Sequence, residues 1–124
     1  MAAESPQRLK FRRHQRIKHG RDFARLRQKG KRLVHGCMIA NWLSVPPGAP
    51  SRLGVVVSAK VGNSVKRSRV RRLLRETFRQ HQHDFTEGID LVLVARPSAA
   101  TKDFAEVEQD FLTTLRKAGL LGRT

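Results

Sequence analysis

The chain has 124 residues, enough for one folded domain with a single sheet and a few helices, and too few for a second domain of that kind. It carries 26 Lys or Arg against 10 Asp or Glu, which gives a formal net charge of +16. Such a charge destabilises a compact fold by self-repulsion unless a polyanion neutralises it, so nucleic acid is the first partner to consider. No run of about 18 apolar residues is present, and we expect no membrane association.

The positive charge is concentrated in the first two thirds of the chain. Residues 1–83 contain 21 Lys or Arg and three acids, whereas residues 84–124 contain five and seven. A basic surface that served only solubility would have both signs spread evenly, so the asymmetry indicates a binding surface. Cys37 is the only cysteine, which excludes an internal disulfide and a cysteine-based zinc site and favours a reducing, cytoplasmic setting.

The first half of the chain predicts one short helix and two strands. A helix is expected from Asp22 to Lys29, with Gly30 as its C-terminal stop. Residues 33–45 are rich in strand-forming residues and end at a proline-rich loop, residues 46–50. Residues 53–58 are β-branched and short. We predict that they pair with residues 33–45 as an antiparallel hairpin.

After Gly62 and Asn63 the apolar residues follow a helical period. One side of the predicted helix is apolar and is expected to be buried, and it consists of Val70, Leu73, Leu74, Thr77, Phe78 and His81. The opposite side is cationic. A helix N-terminus preceded by Gly-Asn presents backbone N–H groups and a partial positive charge, which suits a phosphate.

The last third of the chain predicts one more strand and one more helix. Ile89–Ala95 is a nearly continuous apolar run, typical of a strand in the interior of a sheet. A final helix is expected after an N-cap at Asp103 or Thr101, with an apolar stripe formed by Phe104, Val107, Phe111, Leu115 and Ala118. The acids in its first half suit the helix dipole, and nothing in them indicates catalytic carboxylates.

The segment of residues 60–79 has the strongest functional signal. It contains eight Lys or Arg and one acid, Glu76. A merely solvated helix face would suffer mutual repulsion at this density, whereas arginines three, four and seven residues apart can contact several phosphates of a folded RNA at once.

The same segment resembles the signature of bacterial ribonuclease P proteins, Lys-x-Gly-Asn-Ala-Val-x-Arg-Asn-Arg-x-Lys-Arg. Residues 60–72 read Lys-Val-Gly-Asn-Ser-Val-Lys-Arg-Ser-Arg-Val-Arg-Arg. The departures are Ser64 for Ala, Ser68 for Asn and Arg71 for Lys, and Ser68 lacks the amide of the family's Asn. The similarity extends over residues 17–121, including Arg21-Asp22-Phe23 and the strand from Asp90 to Arg96.

The resemblance implies a fold and a division of the chain. The expected fold is a single two-layer α/β (α+β) sandwich in the order α-β-β-α-β-α, with a left-handed β-α-β crossover like that of a ribosomal-protein domain. Residues 1–16 would form a flexible basic N-terminal arm, and residues 17–124 a single RNA-binding domain. The protein alone is expected to be a monomer.

The resemblance also implies a function and two RNA-binding surfaces. The protein would be the subunit of ribonuclease P that helps the catalytic RNA remove the 5′ leader from precursor tRNA. The RNA subunit would bind Mg²⁺ and carry out the hydrolysis, and the protein would bind no cofactor and contribute no catalytic residue. The cationic helix would bind the RNA subunit through Lys60, Asn63, Lys66, Arg67, Ser68, Arg69, Arg71, Arg72, Arg75 and Arg79.

The second implied surface is a cleft between the first helix and the sheet that holds the single-stranded leader. Phe23, Arg27 and Trp42 are its candidates, because aromatic rings stack on any base and cations follow the backbone. For Phe23 and Trp42 the alternative is packing in the core. Asn41 occupies the position at which the family has an aromatic residue.

Three other interpretations remain open. A ribosomal or ribosome-assembly protein would share the size and charge, and would bind RNA without turnover. A DNA-binding helix fits less well, because base readout favours Asn, Gln and mixed polar residues. His81 and His83 offer two metal ligands with only Asp84 nearby, which is a poor metal site, and helix-end polar residues are the alternative.

Overall fold

The computed structural model describes residues 11–121. In this part of the chain three helices and four strands occur in the order α1 (Gly20–Lys29), β1 (Lys31–His35), β2 (Met38–Ser44), β3 (Arg52–Val56), α2 (Ser64–His81), β4 (Ile89–Ala95) and α3 (Phe104–Lys117). Short 3-10 turns lie at Arg13–Gln15, Ala59–Val61 and Pro97–Thr101. The predicted order is confirmed, with the first predicted strand folded as two strands, β1 and β2.

A tight turn at Gly36 and Cys37 divides the predicted strand of residues 33–45. Gly36 has a φ of 58°, a left-handed conformation that favours glycine. A Cβ at this position would lie 2.3 Å from a carboxylate oxygen of Asp110 on α3, so a larger residue would also collide with that side chain. The turn lets β1 and β2 pair antiparallel, with Val34 opposite Ile39.

The central strand β4 separates β2 from β3. The sheet order is β1-β2-β4-β3, and β4 runs antiparallel to β2 and parallel to β3. The predicted antiparallel hairpin between residues 33–45 and 53–58 is therefore wrong. The physical reason is the burial of β4, which is buried at every position except Val94. A strand of this kind occupies an interior position in the sheet, so β4 lies between β2 and β3 and these two strands do not pair directly.

The unit β3-α2-β4 joins two neighbouring parallel strands through a helix, as a β-α-β crossover requires. The apolar side of α2 packs inward, with Val70, Leu74, Thr77 and Phe78 buried, which confirms the predicted arc. The left hand of the crossover stays a prediction.

The sheet has apolar side chains on both faces, because successive residues of a strand point to opposite sides. On one face Ala40 and Leu91 belong to the main core, which α2 and α3 cover. On the other face Leu43 and Val92 form a smaller cluster with Leu26 of α1. The sheet and the α2–α3 layer form the predicted sandwich, and α1 adds a partial layer on the opposite side.

A partly buried ion pair connects three elements at one end of the sheet. Arg52 of β3 donates two hydrogen bonds, of 2.9 and 2.7 Å, to the carboxylate of Asp90 on β4. Asp22 of α1 lies 3.8 Å from the same guanidinium. The hydrogen bond to Asp90 raises the pKa of Arg52. A two-pronged pair of this kind fixes geometry as well as charge, so it orients α1 relative to the sheet.

Residues 11–16 pack against the domain, although we predicted them to belong to a flexible arm. The ring of Phe11 meets that of Phe78 edge-on with centroids 5.5 Å apart. Gln15 donates a 2.7 Å hydrogen bond to Gln82, and Arg16 forms a parallel bridge to Leu53 on the outer edge of β3. The packed domain therefore includes Phe11, because its ring provides an apolar anchor, and residues 1–10 of the predicted arm lie outside the described residues.

The last helix begins at the predicted N-cap. Asp103 accepts a hydrogen bond from the Glu106 amide, and the Glu106 side chain accepts one from the Asp103 amide. Val107, Phe111 and Leu115 of the predicted stripe are buried. The helix also fixes the β1–β2 turn, because Asp110 accepts a 2.9 Å hydrogen bond from the Cys37 amide. Burial, with Asp110 as a second cause, raises the pKa of the Cys37 thiol to about 12.

His81 joins the end of α2 to α3 through two carboxylates. Its ring nitrogens lie 2.9 Å from Asp84 and 2.7 Å from Glu108. Burial by itself lowers the pKa of His81, but the hydrogen bonds to Glu108 and Asp84 outweigh it, and the pKa is raised.

We predict that His81 stabilises the fold in acid. A raised pKa in the folded state means that the contribution is fully present below the unfolded pKa of about 6.5 and is lost as the pH rises through the folded pKa. Urea unfolding of the wild type and of His81→Gln would be compared at about pH 5.5 and about pH 8.5. The destabilisation caused by His81→Gln should be larger at the lower pH. An equal loss at both values would contradict this assignment.

Candidate nucleic-acid interface

The start of α2 is built by the Gly62-Asn63 pair. Gly62 has a φ of 151°, and a Cβ there would lie 2.8 Å from the Lys66 side chain. The side-chain oxygen of Asn63 accepts a 2.9 Å hydrogen bond from the Lys66 amide and so caps the helix. Among residues 11–121 the amides of Ser64 and Val65 have no acceptor, so the predicted phosphate seat keeps two donors.

The cations of α2 point away from the core and mostly lack acidic partners. Among residues 11–121 no carboxylate lies within 4.0 Å of the charged nitrogens of the group Lys60, Lys66, Arg67, Arg69, Arg71, Arg72 and Arg75. We call this group, with Asn63 and the exposed Ser68, the α2 basic face. The structure thus places nine of the ten predicted RNA-binding residues on one uncompensated surface.

Arg79 is the tenth predicted residue, and its charge is compensated. Its Nε donates a 2.9 Å hydrogen bond to Glu76, the single acid of the helix, and a second nitrogen of Arg79 contacts the other carboxylate oxygen. Hydrogen bonds from Arg79 and Gln80 lower the pKa of Glu76 to about 2. The free positive charge of the helix therefore ends at Arg75, because the i, i+3 spacing brings Glu76 against Arg79.

Arg67 and Arg69 are held in place by backbone carbonyls. Arg67 Nε donates to the Gly62 carbonyl at 3.2 Å, and an Arg69 terminal nitrogen donates to the Lys102 carbonyl at 2.8 Å. Both side chains are partly buried, and Arg69 links α2 to the segment before α3.

Arg16 extends the α2 basic face and was not among the predicted site residues. Burial lowers the pKa of Arg75, and the nearby charges of Arg16 and Arg71 lower it further. The Arg16 guanidinium lies 5.1 Å from the centroid of the Phe11 ring, which holds it in position. The Arg-rich composition of residues 8–18 was its only signal in the sequence, since the bridge to β3 that brings it to α2 is a long-range contact.

The predicted cleft would lie on the opposite face of the sheet, beside α1. The ten-residue helix covers only part of this face. The strand register places Val34, Ile39, Val94 and Val56 side by side in one row across all four strands. Val34 is 44% and Val56 38% exposed, and the two central residues are partly exposed. This row, which we call the valine row, forms an apolar floor that the sequence analysis did not identify.

Phe23 forms the edge of α1 next to that floor. Its ring lies against Gly54 of β3, where a Cβ would come within 2.8 Å of it. The side chain is half-buried beside Ile17, Leu26 and Val92. Arg27 is exposed one helical turn later, on the same flank of α1 and away from the Asp22 side. Both are positioned for the cleft, and their role in leader binding stays a prediction.

Trp42 does not belong to the cleft. It lies in the main core with a side chain 7% exposed, on the sheet face covered by α2 and α3. The reason is the two-residue period of β2, which puts Asn41 on the α1 side and Trp42 on the other. Asn41 itself donates hydrogen bonds to the carbonyls of Leu26 and Lys31, at 3.0 and 2.8 Å, and so anchors the end of α1.

Known proteins with the same architecture are bacterial ribonuclease P proteins. A family model described as Ribonuclease P matches residues 11–119. The Ribonuclease P protein component of Gluconacetobacter diazotrophicus is 35% identical over 108 residues, which cover 86% of this chain and 93% of that protein. That of Clostridium novyi is 36% identical over 111 residues, covering 89% and 98%.

Solved structures agree with these relatives. The RNase P protein of Staphylococcus aureus superposes with a TM-score of 0.78 at 27% identity, covering 87% of this chain and 98% of that one. That of Thermotoga maritima gives a TM-score of 0.72 at 29% identity, covering 82% and 96%.

The fold and the site define a small α+β protein with a basic helix face on one side of its sheet and the partly exposed valine row on the other. The chain belongs to the bacterial ribonuclease P protein family. It is therefore a subunit of a tRNA-processing ribonuclease whose other component is an RNA. None of the helices within residues 11–121 is long and apolar enough to cross a membrane.

We predict that two neighbouring arginines of α2 differ in their effect on folding. Arg69→Ala removes the hydrogen bond to Lys102 and should lower the free energy of unfolding by about 1 kcal/mol. Arg72→Ala, which removes an exposed side chain of the same type, should change it by less than about 0.5 kcal/mol. Urea unfolding of both variants gives the comparison. Equal stabilities would show that the bond to Lys102 contributes nothing.

Proposed function

We propose that this chain assists the catalytic RNA of ribonuclease P by binding that RNA through the α2 basic face and the precursor tRNA leader through the cleft. The observation that supports the proposal is that the α2 basic face and the partly exposed valine row beside Phe23 lie on opposite sides of one sheet. A single domain can then contact two RNA molecules at once. Its function is to position the precursor against the RNA subunit.

The α2 basic face suits a folded RNA because its charges are uncompensated and partly fixed. Seven Lys or Arg side chains without carboxylate partners repel one another, and bound phosphates would relieve that repulsion. Association also releases condensed counterions, so this contribution weakens as salt increases. The carbonyl contacts of Arg67 and Arg69 reduce the side-chain entropy lost on binding.

The cleft suits a single strand of variable sequence. Its floor is apolar, its edge carries the Phe23 ring, and Arg27 can follow the backbone. Aromatic and apolar surfaces accept any base, because every base has a π-face. Mature tRNA has no 5′ leader, so such a cleft favours the precursor over the product.

The reaction itself is assigned to the RNA subunit, which would also hold the Mg²⁺. Residues 11–121 contain no cluster of three His, Cys, Asp or Glu side chains that could hold a metal ion by themselves. The buried or partly buried carboxylates of Asp90, Asp110 and Glu76 each face a cation of the chain instead. On this proposal the chain supplies charge and shape, and it takes part as a monomer in a cytoplasmic complex.

A ribosomal or ribosome-assembly protein is the other function class that the sequence left open. Such a protein would use a basic helix in the same way but has no need of an open cleft for a free 5′ strand. The partly exposed valine row, with Phe23 beside it, favours the ribonuclease P assignment.

Reconstitution tests the proposal directly. The purified protein would be added to a bacterial ribonuclease P RNA at low Mg²⁺, and cleavage of a precursor tRNA measured. We expect cleavage to increase with the wild type and much less with Lys66→Ala combined with Arg72→Ala, whose folding should be intact. A wild-type protein that binds the RNA but leaves cleavage unchanged would favour the ribosome-related alternative.

A second test concerns the cleft. Phe23→Ala should weaken binding of leader-bearing precursor to the holoenzyme by about 1 to 3 kcal/mol and leave binding of mature tRNA unchanged. Phe104→Ala is the matched control, because Phe104 is also partly buried but lies at the start of α3, away from the cleft. Equal losses with both RNAs would place Phe23 in the core alone.

A further inference from the structure

A pocket of about 430 Å³ opens where α1 and α3 end, away from both surfaces described above. Its lining includes the side chains Lys29, Lys31, Trp42, Ser44 and Glu87 and the turn that follows α3, residues 118–120. Trp42 and the valine row are on opposite faces of the sheet, and three positions of β2 separate Trp42 from Ile39. The pocket is therefore distinct from the cleft.

Trp42 provides an unused hydrogen-bond donor at this pocket. Trp42 is only 7% exposed, yet its indole N–H has no acceptor among residues 11–121. In the described part of the chain, every fully buried side-chain nitrogen or oxygen has a partner. The indole nitrogen is therefore not fully buried, and this pocket is one that Trp42 lines. An indole N–H can only donate, so the group that satisfies it is an acceptor.

Two lysines stand beside that donor. Lys31 is the antiparallel partner of Trp42, so the two side chains project from the same face as neighbours. Lys29 precedes it at the end of α1, and neither lysine has an ion-pair partner within residues 11–121. Ser44 adds a hydroxyl group that has no partner in the same part of the chain. Donors and positive charge thus meet on one side of the pocket.

The backbone carbonyls on the opposite side of the pocket attract cations only weakly, because they already accept hydrogen bonds within the chain. The carbonyls of Thr114, Leu115 and Arg116 at the end of α3 accept hydrogen bonds from the amides of the turn that follows. The Leu120 carbonyl accepts one from Thr86. Glu87 is the one acid in the lining. It can accept from hydroxyl or amino groups of a ligand whose anionic end lies near the lysines.

We propose that this pocket binds a nucleotide through its phosphate, with the Trp42 indole N–H, Lys29 and Lys31 as the phosphate contacts. The volume falls within the range of about 300 to 1,000 Å³ that is usual for small-molecule sites. The donor side recognises the phosphate, and Glu87 faces the ribose or base. The choice of a nucleotide over other phosphate esters rests on the proposed RNA-binding function, but the site can be tested without precursor cleavage.

Fluorescence gives a direct test, because Trp42 is the only tryptophan and the chain contains no tyrosine. The full-length protein would be titrated with AMP, with adenosine and with a five-nucleotide oligouridylate. AMP should change the Trp42 emission saturably, and adenosine, which lacks the phosphate, should not. Saturation by AMP alone would identify a free nucleotide as the ligand, and saturation by both phosphorylated probes would identify an RNA strand. Both results support the site.

Variants separate this site from general attraction to a basic protein. The double variant Lys29→Ala, Lys31→Ala should weaken AMP binding about tenfold. The control Lys18→Ala, an exposed lysine outside the pocket, should change it by less than about twofold. Trp42→Phe keeps an aromatic ring but removes the N–H, and calorimetry should show weakened AMP binding while thermal unfolding confirms that the variant folds.

Three results would overturn the proposal. One is an AMP response that never saturates or that Lys18→Ala weakens as much as the double variant does. Another is binding of adenosine as tight as that of AMP. The third is a short acidic peptide that binds with the same lysine dependence while AMP does not, which would make the pocket a protein contact. None of these results would affect the leader-cleavage assay.

Discussion

The parallel pairing of β3 with β4 determines where both candidate surfaces lie. Two neighbouring parallel strands cannot be joined by a tight turn, so the chain must cross one face of the sheet, and α2 is that crossing. Its apolar arc packs against the main core, which leaves its other side facing outward. Because α2 and α3 occupy this face, α1 packs on the opposite one and covers it incompletely. The α2 basic face and the cleft are therefore consequences of one strand pairing.

The acids of the chain neutralise the cations that the fold needs, and leave the cations of the proposed RNA contact unpaired. Asp90 holds Arg52, Asp110 lies 3.7 Å from Lys102, and Glu76 engages Arg79. The remaining cations of α2 repel one another. Burial is the first cause of the lowered pKa of Arg75, and the nearby charges of Arg16 and Arg71 lower this pKa further. This repulsion destabilises the free protein and is relieved when a polyanion binds, so stability and RNA affinity are coupled through the same charges.

Local periodicity was sufficient to predict the helices, and long-range pairing was not. The apolar arc of Val70, Leu74 and Phe78 and the cap at Asp103 are properties of neighbouring residues, and both are confirmed. The pairing partner of β3 depends on which strand is most deeply buried, and no local sequence pattern predicts that. The turn at Gly36 was missed, and part of its requirement for glycine comes from Asp110, more than seventy residues away.

The candidate site, like the fold, was predictable where it depends on local patterns and not where it depends on long-range contacts. The basic residues of α2 were identified because the helical period and the family signature both point to them. Trp42 was assigned to the wrong face because an error of one residue in a strand reverses the side. The valine row could not be found in the sequence, since its four members come from four strands and meet only through the register. Arg16 likewise reaches α2 only through its bridge to Leu53.

The two surfaces differ in the force that they offer to RNA, and the sheet keeps them apart. Binding at the α2 basic face is mainly electrostatic, whereas binding in the cleft relies on the contact of bases with Phe23 and the valine row. Because the surfaces lie on opposite faces, a leader in the cleft does not compete with the RNA subunit for the same cations. The ion pair of Arg52 with Asp90 and Asp22 ties α1 to β3 and β4, so the edge of the cleft is fixed relative to the strands that carry α2. Neither contact depends strongly on RNA sequence. A subunit that positions RNA therefore needs a rigid connection between the two contacts, because the selection of the RNA then comes from their relative geometry.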